Sequence, residues 1–226
     1  MTPTQSVIIP VRNGSNFIGE AIASALPQLA EADEIVVIDN GSTDDTVAVV
    51  RAIADPRVRL ISETRPGPAA ARNAGLAVAR GDLVSFLDHD DYWLEGRNAG
   101  LLKALADDPA ADAAYGRLRM RVEPGADDQG LAALDGTLAQ SVTMLVFVFR
   151  RALLDRTGPM DETMRLGSDI DYLARLKSAG MRAAIYDGDA GVYRRHGGNI
   201  TLNLAEKRQG LFGALSRNIQ RRKAMR

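Results

Sequence analysis

The chain contains no cysteine, which excludes disulfides, thiolate metal sites and cysteine nucleophiles. It also lacks an apolar run long enough to span a bilayer. The longest candidate, Val142 to Phe149, is interrupted by Thr143 and reads as a buried strand. The start, Met1-Thr2-Pro3-Thr4-Gln5-Ser6, has no basic segment followed by an apolar run, so no signal peptide is expected. Without export, the acceptor triplet Asn199-Ile200-Thr201 is expected to be chance. An excess of one charge is missing too. Lys and Arg number 28 against 29 Asp and Glu, a net charge of −1, and nothing global points to nucleic acid. No Gly-x-Gly-x-x-Gly follows the first apolar strand, which argues against a Rossmann dehydrogenase. What is present is a chain of 226 residues with ordinary apolar and charged fractions, enough for one α/β domain with a large core.

Strands and helices alternate through the first half. Ser6-Val7-Ile8-Ile9-Pro10 reads as a buried strand, and a helix follows with Phe17, Ile18, Ala21, Ile22, Ala25, Leu26 and Leu29 on one face. Glu34 to Asp39 is the second strand, Gly41 turns the chain, and Ser42-x-x-Asp45 predicts a capping box. Val58 to Ile61 is the third strand. Pro66-Gly67-Pro68 breaks the chain before an Ala-rich helix from Ala69 to about Ala79. The fourth strand, Leu83 to Leu87, follows Gly81. This rhythm predicts a parallel sheet with helices on both faces, whose ligands bind beyond the carboxyl ends of the strands. Pro10, Asp39 and Asp88 fall at those ends. Beyond Pro109 the rhythm loosens. Residues 122 to 140 read as a mobile loop, Thr143 to Phe149 as a strand, Asp169 to Ala179 as an amphipathic helix, and Arg182 to Tyr186 and Val192 to Arg195 as two short strands. Thr201 onward reads as helical and ends in a basic cluster from Arg217 to Arg226.

The fourth strand runs into Asp88-His89-Asp90-Asp91. Carboxylates crowded at a strand end repel one another unless a cation sits among them. Magnesium-type ions take one or two protein carboxylates and complete their shells with water and phosphates. The alternative is that Asp90 or Asp91 caps a following helix.

Seven blocks, in order and spread over about residues 5 to 203, resemble the inverting family 2 glycosyltransferases of the GT-A fold. They are Val7 to Gly14, Val36 to Asp44, Gly67 to Gly75, Gly81-Asp82 with Phe86 to Asp91, Gly158 to Glu162, Gly167 to Asp171 and Tyr193 to Asn199. The resemblance implies a Rossmann-like α/β fold with a mostly parallel sheet flanked by helices and a C-terminal acceptor-side extension. It is expected as a single domain, with about residues 1–110 binding the nucleotide-sugar and 111–226 the acceptor. It implies a hexosyltransferase-type enzyme with a Mg2+ or Mn2+ cofactor, a UDP-sugar donor (dTDP-sugar and then GDP-sugar staying open) and a glycan or lipid-linked acceptor of the cell envelope.

By the same resemblance, Asp90 is the direct metal ligand and Asp88 contacts the ribose or metal-bound water. His89 departs from the family's small residue. Its side chain should point away from Asp88 and Asp90, in a packing or substrate-lining role on the donor side. Asp39 and Asn40 fall where the family contacts base and ribose; shaping the turn at Gly41 is the second reading. Pro10 and Arg12 flank that crevice, and Arg12 replaces a frequent aromatic. Arg72 reaches either the diphosphate or an acidic neighbour. Asp169 aligns with the general base that takes the acceptor proton, and also reads as a helix N-cap. Ser168 stands in place of the usual first acid, and Asp171 is expected to support the first helical turn. His196 is expected as a metal ligand or diphosphate contact, with a structural role equally open, and the neighbouring arginines can meet the diphosphate. Trp93 reads as core. The basic tail reads as a solvated helix end, or as a peripheral contact with anionic lipid at the inner face of the membrane of a cytoplasmic protein. Two other readings share the crevice: another metal-dependent nucleotide-using transferase, and a non-catalytic nucleotide-sugar-binding protein.

Overall fold

The computed structural model describes residues 3–124, 126, 138–139, 143–164, 166–199, 213 and 217. Strands β1 (Gln5–Val11), β2 (Glu34–Asp39), β3 (Val58–Ser62) and β4 (Leu83–Phe86) form a parallel sheet in the order β3-β2-β1-β4. The continuous apolar runs of β1 and β2 are buried throughout, as strands covered on both faces must be. The connecting helices are α1 (Ile18–Ala25), α2 (Thr46–Arg51) and α3 (Pro68–Val78). Helix α3 lies so close to the sheet that a Cβ on Gly75 would fall 2.4 Å from Ile8 Cγ2, so its small residues set the distance between helix and sheet.

The sheet continues past β4 with mixed polarity. Strand β8 (Phe147–Arg150) joins β4 antiparallel, β6 (Ala113–Val122) joins β8, β9 (Ala183–Arg195) runs parallel to β6, and the short β5 (Tyr92–Trp93) closes the edge. Strand β7 (Leu138–Ala139) pairs with β6. Helices α4 (Arg97–Asp107), α5 (Arg151–Thr157) and α6 (Ser168–Ser178) complete the described elements. One core fills the parallel sheet and its helices. A smaller cluster of Leu83, Leu101, Leu105 and Val148 lies under α4.

Several local expectations change. Helix α1 ends at Ala25, and Leu26–Gln28 continues as a 3-10 turn containing Pro27. The box at Ser42 and Asp45 does not form. Asp45 makes no side-chain cap bond, and Asp44 instead accepts from Thr46 N and Thr46 Oγ1. Met144–Val146 is a 3-10 turn capped by Thr143 Oγ1, and only then does the chain enter β8. The two short strands expected at the C-terminal side are one strand, β9. Its polar centre is held to β6 by Arg117, paired with Asp187 and Asp189, across a register shift at Gly116. Asp90 and Asp91 cap no helix, because β5 follows and α4 opens at Gly96. Most of the expected loop 122–140, Val142 and the expected helix from Thr201, with nearly all of its basic cluster, lie outside the described residues. Within that last stretch, Arg217 pairs with Asp161. No helix among the described residues is long and apolar enough to cross a membrane.

Candidate active site

The carboxyl ends of β1, β2 and β4 open onto one crevice. Its floor on the β1–β2 side is a network of loop hydrogen bonds. Asn13, in the left-handed region at φ 52°, accepts from Thr43 N at 2.8 Å and donates its own N–H to Ser42 Oγ. Gly14 N donates to Thr46 Oγ1 and Ser15 N to Asp44 Oδ2. Thr46, with Ser15, holds the Asp44 carboxyl far below the usual range. Pro10 is buried within β1, and Arg12 stands exposed at the mouth of the crevice. Asp39 is buried and accepts from Ser42 N. Asn40 is turned to the β3–α3 loop. Its Nδ2 donates to Glu63 O (2.9 Å) and Arg65 O (2.7 Å), and its Oδ1 accepts from Gly67 N (2.9 Å). The amide therefore fastens residues 63–67 beside the crevice.

The acid cluster sits at the centre. Asp88 Oδ1 meets Arg72 Nη2 at 2.5 Å. His89 lies over Gly14, where a Cβ would come within 2.2 Å of His89 Cδ2; only glycine at position 14 leaves room for the imidazole. Asp90 Oδ2 accepts from His196 Nε2 and from Asn199 Nδ2, both at 3.1 Å. Burial alone would raise Asp90, but the His196 hydrogen bond and the charges of His89 and His196, when protonated, outweigh it and hold its carboxyl below the usual value. Asp91 is 1 % exposed; its Oδ1 accepts from Arg194 N while its Oδ2 is buried without a partner among the described residues. Burial, then the charges of Asp90 and Asp88, push Asp91 well above the carboxylate range.

Asp169 closes the crevice from the second half of the chain. It is the second residue of α6, whose N-cap is the left-handed Gly167, so Asp169 lies inside the helix rather than capping it. Together with Arg72, Phe86, Asp88, Thr143, Met144 and Leu145 it lines a single cleft. Burial raises its pKa, the Arg72 guanidinium pulls it back down and Asp88 pushes it up; the net shift is upward. Ser168 beside it is buried.

The site also uses residues to which the sequence assigned no role. Asn199 lay within a recognised block but carried nothing that separated it from a turn residue. Asn73 exchanges hydrogen bonds with Met160 O and N and, with Arg65, holds Glu162. Arg194 does not face the crevice: it is buried, bonded to Glu20 Oε2 at 2.6 Å and stacked over Phe17 and Tyr92. Trp93 is core, with the Arg97 guanidinium 3.7 Å above its ring.

Among the described residues, no group of three or more His, Cys, Asp or Glu side chains is placed to hold a metal ion by itself. The donor set at Asp90 nonetheless fits a hard divalent cation that is completed by phosphates and water. Two carboxylates, Asp88 and Asp90, lie two positions apart at a strand end, the arrangement such an ion takes.

Residues 6–160 match Glycosyl transferase family 2. The succinoglycan biosynthesis protein ExoU of Rhizobium meliloti is 38% identical over 79% of this chain and 58% of its own length. ExoO of the same organism is 31% identical over 88% of this chain and 63% of its own length. The chain thus spans about three-fifths of the length of these relatives. A shorter match, 40% identical over 39% of this chain and 36% of its own length, is the Escherichia coli UDP-Glc:alpha-D-GlcNAc-diphosphoundecaprenol beta-1,3-glucosyltransferase WfaP. Among solved structures, S. aureus TarS 1-349 in complex with UDP-GlcNAc superposes with a TM-score of 0.69 at 21% identity, covering 87% of this chain and 60% of that one. That likeness identifies the fold as GT-A.

Proposed function

Because the chain belongs to glycosyl transferase family 2, we propose that it moves a sugar from a nucleoside-diphosphate donor to an acceptor hydroxyl with inversion, Asp169 acting as the general base. The observation that carries this reading is one cleft in which the buried carboxylate of Asp169, from the second half of the chain, faces Asp88, just beyond β4, and its partner Arg72 on α3. A base must sit within reach of the proton it takes, with a pKa raised toward the working pH, and such a group contributes roughly 10²–10⁴-fold.

In this reading the nucleoside lies against Asp39, whose second carboxylate oxygen can accept a base or ribose donor. Asn40 keeps the neighbouring loop in place, and Arg12 offers its guanidinium at the mouth. Asp90, helped by Asp88, would hold Mg2+ or Mn2+. When bound, the ion supplies Lewis-acid stabilisation of the leaving diphosphate. Arg72 adds positive charge beside the same leaving group, and the walls formed by Phe86, Met144 and Leu145 keep water away from the acceptor. UDP-sugars come first and dTDP-sugars second as donors. Support comes from TarS, which is seen with UDP-GlcNAc, and from WfaP, whose donor is UDP-Glc and whose acceptor is lipid-linked. We place the acceptor among growing glycans, free or lipid-linked, of cell-envelope or exported polysaccharide.

Calorimetric titration of UDP, dTDP and GDP with Mn2+, with EDTA, and on Asp90→Ala tests the donor half. Binding of one nucleotide that vanishes with EDTA or in the variant is expected; equal binding in all three conditions would remove the metal. Asp169→Asn tests the other half: transfer should collapse with nucleotide binding intact. Retained transfer would remove the mechanism, and intact binding with no transfer in the wild type would leave a nucleotide-sugar-binding protein.

A further inference from the structure

We propose that Asn73 is a positioning residue that sets the register of α6, and with it Asp169, against the Arg72–Asp88 pair. The inference rests on the transfer reading above for the role of Asp169, but its geometry stands in the protein alone. Asn73 follows Arg72 on α3 and bonds to the second half of the chain. Its Oδ1 accepts the N–H of Met160 at 2.8 Å, and its Nδ2 donates to Met160 O at 3.0 Å. One side-chain amide thus engages both backbone polar groups of one residue, as a partner strand would. Nδ2 donates a second time, to Glu162 Oε1 at 2.9 Å. An ionised carboxylate only accepts, so Glu162 fixes which end of the Asn73 amide faces it. Arg65 Nη1 holds Glu162 from the nucleoside side, 2.8 Å from each oxygen.

The gripped segment is tied in turn to α6. Arg175, on that helix, donates to Pro159 O at 2.6 Å and to Thr157 O at 2.7 Å. The path from α3 to the base helix therefore runs through Asn73, Met160, Pro159 and Arg175. Apolar packing does not supply this register. Tyr172, Leu173 and Leu176 are buried on α6, but burial is non-directional and tolerates a slip along α3 that directed hydrogen bonds resist. Gly167 opens the helix without a side chain to cap it. A base must stand within hydrogen-bond reach of its proton, and a misplacement of ~1 Å can cost ~10²-fold in rate. Two consecutive residues of α3 thus divide two tasks: Arg72 sets the charge beside Asp169, and Asn73 sets its place.

Asn73→Asp is close to isosteric. It keeps the acceptor for Met160 N and removes the donor to Met160 O and Glu162. Transfer kcat per folded molecule should fall by ~10–100-fold, with UDP affinity, read by calorimetry, unchanged. Glu162→Ala, at a partly exposed position, should fold and lose kcat by a smaller factor. Adding Glu162→Gln to Asn73→Asp lets the new amide donate to the new carboxylate, and should recover part of kcat. A wild-type kcat in Asn73→Asp, or a UDP affinity that falls as far as kcat, overturns the proposal. The chain has no cysteine, so Ala77→Cys and Lys177→Cys, exposed on α3 and α6, take two spin labels without background. Their separation, read by double electron–electron resonance, should be single and narrow with Asn73 in place, and shifted or broadened by Asn73→Asp. An unchanged separation overturns the proposal. If the wild type transfers no sugar, the role of Asp169 falls, and this separation alone decides whether Asn73 sets the register of α6.

Discussion

Arg72 Nη2 meets Asp88 Oδ1 at 2.5 Å, and the same guanidinium lowers the pKa of the buried carboxylate of Asp169. One cation, buried in α3, thus serves an acid from each half of the chain, and its Nε has no partner among the described residues. In the proposed mechanism the link joins the donor side to the base. Arg72→Gln removes the side-chain charge that favours the ionised form of Asp169, leaving burial and Asp88 opposed by the backbone N–H groups of Ile170 and Asp169. The acid limb of kcat/KM against pH should therefore move to higher pH in Arg72→Gln. A limb that stays in place would show that Arg72 does not tune the base.

In the wild type the same limb should lie above the ordinary carboxylate value, because Asp169 must be ionised to accept a proton and its pKa is raised. The consequence for stability has the opposite sense to that of a salt-bridged acid. With the folded pKa above the unfolded one, the native state holds the proton more tightly between the two values, and stability is lost as pH rises through them. Ionised Asp169 is then a net cost at neutral pH. Asp169→Asn should lose transfer by roughly 10²–10⁴-fold yet unfold at a higher temperature at pH 7, with the gain disappearing in acid. A lower melting temperature at pH 7 would contradict this account.

Arg97 is fully buried, with no ion pair among the described residues. Burial pushes its guanidinium down to about 9, which still leaves it charged at neutral pH. Its Nη2 donates to Phe147 O at 2.7 Å and to Leu145 O at 3.2 Å, and the group stacks on Trp93. It therefore ties α4 to the turn that lines the cleft. Arg97→Ala leaves both carbonyls without that donor and opens a cavity, and should cost about 3–5 kcal/mol. Urea unfolding followed by the emission of Trp93, the sole tryptophan, measures it. A cost below ~1 kcal/mol would mean that water replaces the guanidinium freely.

The parallel half of the fold was legible because its signals are local: buried runs at Val7-Ile8-Ile9 and Ile35-Val36-Val37, separated by helical patterns and glycine turns. The site was legible to the extent that the chemistry-bearing residues stand at strand ends, as Asp39 and Asp88 do. What the sequence hid is the direction in which a side chain bonds. Asp44 rather than Ser42 or Asp45 braces α2, and Arg194 turns to Glu20, because tertiary partners decide among equally capable groups. The polar centre of β9, Asp187-Gly188-Asp189, resembles a loop until Arg117 on the neighbouring strand supplies its partners.

Asn40 shows the same limit at the site itself. The family resemblance implies a place for it among the nucleoside contacts. The structure uses its Nδ2 on two backbone carbonyls and its Oδ1 on one backbone amide. Asn40→Asp is therefore a sharp test. If position 40 met the base from an otherwise free side chain, the carboxylate would be tolerated and could strengthen uracil binding. If the amide fastens the loop, the carboxylate faces Glu63 O and Arg65 O with no proton to give, and repulsion replaces two hydrogen bonds. We expect Asn40→Asp to destabilise the fold by about 1–3 kcal/mol and to weaken UDP binding by loosening residues 63–67. Hydrogen exchange should show lost protection confined to that loop and the first turn of α3. Unchanged stability together with tighter UDP binding would return Asn40 to the nucleoside.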